Sequence, residues 1–140
     1  MILLDTHVWL WWISNPEKLS NSAVAAIDEA VQINGIVISS ISTWEIALLV
    51  ARGRLKLTID ISDWVRKTEG LTFVRFVPVD NTISLRSVLL PGNFHTDPAD
   101  RIIAATALTM GIPLISKDRK ILDYSYPNHL VVCSVRCSCF

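Results

Sequence analysis

The sequence predicts an α/β sandwich around a mostly parallel sheet, and three observations carry that reading. Short, strongly apolar runs alternate with longer segments of helical pattern, the arrangement that builds parallel sheets through crossover connections. The first run, Met1 to Leu4, is apolar throughout and stops at Asp5, as a fully buried strand does where it meets a ligand-binding edge. The chain has 140 residues, of which 51% are hydrophobic, enough for one domain with a sizeable core. It contains no internal repeat, low-complexity tract or linker.

Each element has its local reason. After the first strand, the tryptophan-rich segment Trp9 to Ile13 continues as a short helix that Asn15-Pro16 breaks. Ser20 or Asn21 caps a second helix with Val24, Ile27 and Val31 on one buried face, and Gly35 ends it. Ile36 to Ser39 is β-branched and apolar, a second buried strand. Ser42 opens a third helix, Glu45 to Ala51, which Gly53 closes, with Arg52, Arg54 and Lys56 forming a basic turn. Asp60 to Lys67 reads as an amphipathic helix and Leu71 to Val77 as a third strand. Asp80 to Leu90 is helical, with Ile83, Leu85 and Leu89 apolar, and Pro91-Gly92-Asn93 is a loop.

Asp97-Pro98 then starts a helix. A side-chain cap is followed by proline at the first helical position, where its missing N–H costs nothing. Ile102 to Met110 is apolar nearly all round, so this helix is expected to be buried, with Gly111 as its stop. Ile112 to Ile115 forms another strand, ending in Ser116-Lys117-Asp118-Arg119, and Leu130 to Cys133 a last edge strand. The domain is expected to span 1–132, with 133–140 a cysteine-containing tail that is poorly tied down.

Composition excludes several classes. Thirteen basic and thirteen acidic residues balance, so any polyanion contact must come from a local patch. The apolar opening segment is interrupted by Asp5 and His7, too short for a membrane span and without a basic leader, which makes the cytoplasm the expected location. Cys133, Cys137 and Cys139 lack the paired spacing of a structural zinc site and fit free thiols in a reducing compartment.

The informative residues are acids. Carboxyl ends of parallel strands and the N-termini of the helices that follow them share one edge of a sheet. Asp5 closes the first strand, and Glu45 sits in the first turn after the second. Asp97 and Asp100 open the buried helix, and Asp118 follows the next strand. Asp5, Glu45, Asp100 and Asp118 are therefore expected to converge. Two like charges about 4 Å apart repel by roughly 4 kcal/mol at an effective dielectric of 20, so such a cluster needs raised pKa values or a cation. A hard divalent ion, Mg²⁺ or Mn²⁺, answers that need and suits phosphodiester hydrolysis. Plainer roles stand beside this one. Ser42-x-x-Glu45 matches a capping box, Asp97 an N-cap, Asp100 a dipole-compensating acid and Asp118 a turn residue. Asp5, a lone acid ending an apolar strand, is the hardest to dismiss, because burying it without a partner is costly.

Four segments together resemble the PIN-domain proteins, and within them the VapC-type toxins of type II toxin–antitoxin pairs. They are Leu3-Leu-Asp5-Thr-His-Val-Trp-Leu10, Ser39-x-x-Ser42-x-Trp-Glu45-Ile-Ala47, His95-x-Asp-Pro-x-Asp100-Arg-Ile-Ile-Ala104 and Ile115-Ser-Lys-Asp118. The resemblance implies a three-layer α/β/α sandwich and a Mg²⁺- or Mn²⁺-dependent endoribonuclease, with Asp5 and Asp100 as direct metal ligands. Glu45 and Asp118 complete the site or orient the attacking water. It also implies a homodimer neutralised by a small antitoxin protein. Thr6 and Ser116 flank two acids and are placed to hydrogen-bond a carboxylate or a metal-bound water. Asp97 and His95 are further candidates, and Arg101, Lys117, Arg119 and Lys120 are candidate RNA phosphate contacts. A binding-only module that keeps the fold without activity is the competing reading. A phosphotransfer receiver domain fits poorly, because Asp5 stands alone at its strand. Trp9, Trp11, Trp12 and Trp44 are expected to contribute partly to an interface, or else simply to pack the core.

Overall fold

The computed structural model describes residues 1–94, 96–118 and 121, and the backbone of 132–134. The strands are β1 (Ile2–Leu4), β2 (Ile36–Ser39), β3 (Val74–Val77), β4 (Leu114–Ser116) and β5 (Val132–Ser134). The helices are α1 (Thr6–Ser14), α2 (Asn21–Gln32), α3 (Ser40–Ala51), α4 (Ile61–Glu69), α5 (Asn81–Val88) and α6 (Pro98–Met110). A 3-10 turn, Pro16–Lys18, sits where Asn15-Pro16 stops α1. The expected tail lies outside the described residues except for the backbone of 133 and 134. Among the described residues, no helix is long and apolar enough to cross a membrane.

The sheet runs β3-β2-β1-β4-β5 with every pairing parallel. Strands one to three step in one direction and strands four and five in the other. The reversal falls between β1 and β4, and in open α/β sheets that switch point opens the ligand crevice. Asp5 leaves β1 there and Ser116 ends β4 beside it, because Leu4 lies opposite Ile115 in the register.

Strand alternation divides the core in two. Ile2, Leu4, Ile36, Ile38 and Ile115 face α1, α2 and α4, where Trp9 packs on Trp64 with ring centroids 4.7 Å apart. Leu3, Val37, Val77 and Leu114 face α5 and α6. The first layer is aromatic; the second depends on the small residues Ala104, Ala105 and Ala107, which bring α6 close to the sheet. Trp9 is fully buried and donates its indole N–H to Thr68 Oγ1 at 3.3 Å, so it is core rather than interface.

Local details depart from the sequence reading. Helix α3 starts at Ser40, capped by the Ser39 hydroxyl, so Ser42 lies inside the helix and Glu45 in its second turn rather than its first. In α2 the buried face is Ala23, Ile27 and Ala30, with Val24 turned outward. Asn34, not Gly35, takes the left-handed position after it, and the Gly35 N–H closes back on the Ala30 carbonyl. In α5, Ile83 is buried, but Leu85, Val88 and Leu89 are 66%, 72% and 74% exposed. The β3 strand begins at Val74, later than Leu71.

Candidate active site

Each acid reaches the rim by a different local device. Asp5 is the N-cap of α1: its Oδ1 accepts the Thr6 N–H at 2.8 Å, while its backbone N–H still bonds the Ile115 carbonyl in the sheet ladder. Its Oδ2 accepts the Ser116 hydroxyl at 2.6 Å, and Ser116 Oγ in turn accepts the Asp118 N–H at 3.0 Å. One serine thus joins the two strand-end acids across the switch point. Asp5 is 4% exposed, and neutral donors satisfy both its oxygens.

Glu45 is held from the side. Thr6 Oγ1 lies 2.5 Å from Glu45 Oε1 and 2.9 Å from Ser42 Oγ. A hydroxyl has one proton, so Thr6 offers its own to two acceptors on α3, Glu45 Oε1 and Ser42 Oγ. Ser42 and Glu45 are three residues apart and share one face of α3, which lets both meet the first turn of α1. The capping-box role for this pair is therefore replaced: Ser39 caps the helix, and Ser42, fully buried, accepts from the same Thr6 hydroxyl that reaches Glu45. Its signal in the sequence was that same i, i+3 spacing, open to either reading.

Asp97 and Asp100 form the mouth of α6. Asp97 Oδ1 caps the helix by accepting the Asp100 N–H at 3.0 Å, and Pro98 occupies the first helical position. Arg101, a candidate phosphate contact, directs its guanidinium elsewhere. Its Nε donates to the Ser87 carbonyl at 2.8 Å, Nη1 to Phe94 at 3.0 Å and Nη2 to Val88 at 3.2 Å. It ties the end of α5 and the following loop to α6, and so sets where the two aspartates stand.

Electrostatics show that the acids share one field. The Asp100 carboxyl is pushed up to about 8, first by burial and then by the charges of Asp5, Asp97, Asp118 and Glu45. Burial likewise raises Glu45, opposed by the Thr6 hydroxyl and reinforced by Asp5 and Asp97. Asp5 is raised by burial against the pull of Ser116 and Thr6. Asp5, Asp97, Asp118 and Glu45 thus all lie near enough for their charges to act on Asp100. Lys117 is exposed at the same edge, its Nζ 4.9 Å from the Trp11 ring. His95 and Arg119, with Lys120, lie outside the described residues.

Among the described residues, no three acidic, histidine or cysteine side chains are already closed around a point as a metal shell. The donor set nevertheless suits a hard divalent ion. Mg²⁺ is commonly held by only one or two carboxylates and keeps several waters, and a cluster that drives Asp100 to about 8 carries repulsion that a cation relieves.

Comparison with known proteins follows the same outline. The family model described as PIN domain matches residues 2–125. The chain is 35% identical over 131 residues to Ribonuclease VapC22 of Mycobacterium tuberculosis, covering 94% of this chain and 97% of that protein. In structure it resembles VapBC2 from Rickettsia felis bound to a DNA fragment from their promoter. That likeness has a TM-score of 0.68 at 18% identity, over 96% of this chain and 100% of the other. FitAcB from Neisseria gonorrhoeae matches with a TM-score of 0.60 at 25% identity, over 86% and 90% of the two chains.

Proposed function

The chain belongs to the PIN domain family, and on that premise we propose that it is a metal-dependent endoribonuclease, the toxin of a toxin–antitoxin pair. The single observation that carries this reading is the joining of Asp5 and Asp118 through Ser116 at the β1/β4 switch point, beside the other acids of the rim. The relative's name, Ribonuclease VapC22, supports the substrate class, and structural neighbours crystallised as VapBC complexes support an antitoxin partner.

Asp5 and Asp100 would hold Mg²⁺ or Mn²⁺, with Glu45 and Asp118 completing the site. When bound, the ion supplies Lewis-acid polarisation of the phosphoryl group and a water more acidic than bulk water. The chain's own residues do the rest. Thr6 and Ser116 hold both oxygens of Asp5 in fixed directions, so the carboxylate loses little freedom on binding substrate. Thr6, backed by Ser42, aims Glu45 across the rim to orient the attacking water. Asp118 is tied to the same serine through its backbone N–H, which places it beside Asp5.

The test compares RNA cleavage by wild type and Asp5→Asn with Mg²⁺, Mn²⁺ or EDTA. Metal-dependent cleavage by wild type alone supports the reading; cleavage equal in both proteins, or indifferent to chelation, sinks it. A homodimer belongs to the same proposal, and Leu85, Val88 and Leu89 supply the exposed apolar face for a second copy. Light scattering that shows a monomer at high concentration would rule the dimer out.

A further inference from the structure

We propose that the cleft beside Trp11 holds a single-stranded stretch of the polynucleotide whose neighbouring phosphodiester lies at the acidic rim; this rests on the ribonuclease reading above. The cleft measures about 490 Å³ and lies between α1, the segment after α3, and α4. Lys18, Lys56 and Lys67 line it, with Trp11, Ile13 and Leu57 as apolar wall, and no acid contributes to its lining. None of these lysines, nor Lys117, forms an ion pair among the described residues.

Trp11 connects this cleft to the acids. Lys117 Nζ lies 4.9 Å from its ring centroid and Lys18 Nζ 5.7 Å, so one half-buried indole neighbours both a lysine of the rim and a lysine of the cleft. Lys117 adjoins Asp118, and its charge is felt at Asp5. A line of positive groups thus runs from the rim through Trp11 into the cleft, on a chain whose formal charge is zero.

The chemistry of that line selects its occupant. Several ammoniums without an acid among them suit a phosphate backbone, and an apolar wall with an aromatic ring suits the faces of unstacked bases, which a duplex keeps hidden. An acidic peptide matches the charge equally well. The continuity of the lysines with the acidic rim favours the strand on which the rim acts.

The experiment measures anisotropy of a short fluorescein-labelled oligouridylate in EDTA, so that the strand stays intact, across a salt titration. Lys18→Ala/Lys56→Ala/Lys67→Ala removes three exposed side chains and is compared with wild type and with Trp11→Leu. The triple variant is expected to bind at least about tenfold more weakly, with the slope of log affinity against log salt reduced by about 2, since each single-strand phosphate contact contributes roughly 0.7. Trp11→Leu is expected to lose about fivefold or more through stacking, with a smaller change of slope. Unchanged affinity and slope in the triple variant, while wild type binds the strand and cleaves RNA with Mn²⁺, overturns the cleft and leaves the ribonuclease reading intact. The proposal also falls if the triple variant loses an oligoglutamate peptide but keeps the RNA. Wild type that neither binds nor cleaves RNA overturns the ribonuclease reading itself, and the cleft with it.

Discussion

The two flanks of the acidic rim are built on opposite principles. On the β1/β4 side Asp5 is almost wholly buried, yet neutral donors occupy both its oxygens: the Thr6 N–H and the Ser116 hydroxyl. On the α6 side Asp100 is half-buried, and the charges of four other acids add to burial in pushing its carboxyl to about 8. The first flank is held in fixed directions by neutral donors, although burial raises Asp5 as well. The second stores repulsion that only a proton or a cation relieves. A site made wholly of the first kind would have no need of a metal, and one made wholly of the second would lack fixed directions.

Exchanging the acids for amides breaks this contrast most sharply. Asp5→Asn and Asp100→Asn are each expected to lower RNA cleavage at least about a hundredfold, the scale of losing one charge-stabilising group in an active site. Their melting temperatures without metal should separate: Asp100→Asn is expected to melt higher than wild type because a carboxyl disfavoured by burial and by neighbouring charges is removed, and Asp5→Asn no higher, because it disrupts the bonds to Thr6 and Ser116. Calorimetry of the two proteins in EDTA checks this, and equal shifts would erase the distinction between the flanks.

Ser116→Ala attacks the organised flank alone. It strands Asp5 Oδ2 and the Asp118 N–H, so a loss of about 1–3 kcal/mol is expected in urea unfolding. Cleavage should fall by about ten- to a hundredfold, as for other partners that orient a ligand. Arg101→Leu attacks the other flank indirectly. It removes the hydrogen bonds to Ser87, Val88 and Phe94, and so should loosen the mouth of α6. Faster amide exchange in the segment between α5 and α6, with weaker Mn²⁺ binding by calorimetry, is the expected outcome; unchanged Mn²⁺ affinity would show that Arg101 does not position the aspartates.

The α6 flank also predicts a pH dependence. Asp100 binds its proton more tightly folded, near 8, than unfolded, near the ordinary 3.8. Between those values the native state carries more protons, so its stability is greatest below the lower value and declines as pH rises toward 8. Thermal melts in EDTA are expected to fall across that window, Mn²⁺ should flatten the fall, and Asp100→Asn should remove most of it.

Much of this was legible in the chain itself. Asp97-Pro98 announces a helix start because a short acceptor side chain and a fixed φ do the same work in any protein. Gly53 and Gly111 announce stops because both sit at positive φ, where a Cβ is strained. The pairing of Ser42 with Glu45 misled, since one i, i+3 spacing serves a capping box and a shared helix face alike, and only the neighbouring α1 decides between them. The tryptophans were equally mute: Trp9 is fully buried while Trp44 is 56% exposed, a difference set by which way each helix turns toward the sheet.

By itself, then, the sequence determined the start of α6, the glycine stops at Gly53 and Gly111 and the order of the acids along the chain, because these rest on forces acting over a few residues. The tertiary structure alone decided that Ser116 bridges Asp5 to Asp118, that Thr6 supports Glu45, and that Arg101 serves the fold. It also decided that Lys18 and Lys117 meet over one indole. Such contacts join residues far apart in the chain, and their partners are chosen by strand order and helix packing, which no local pattern encodes.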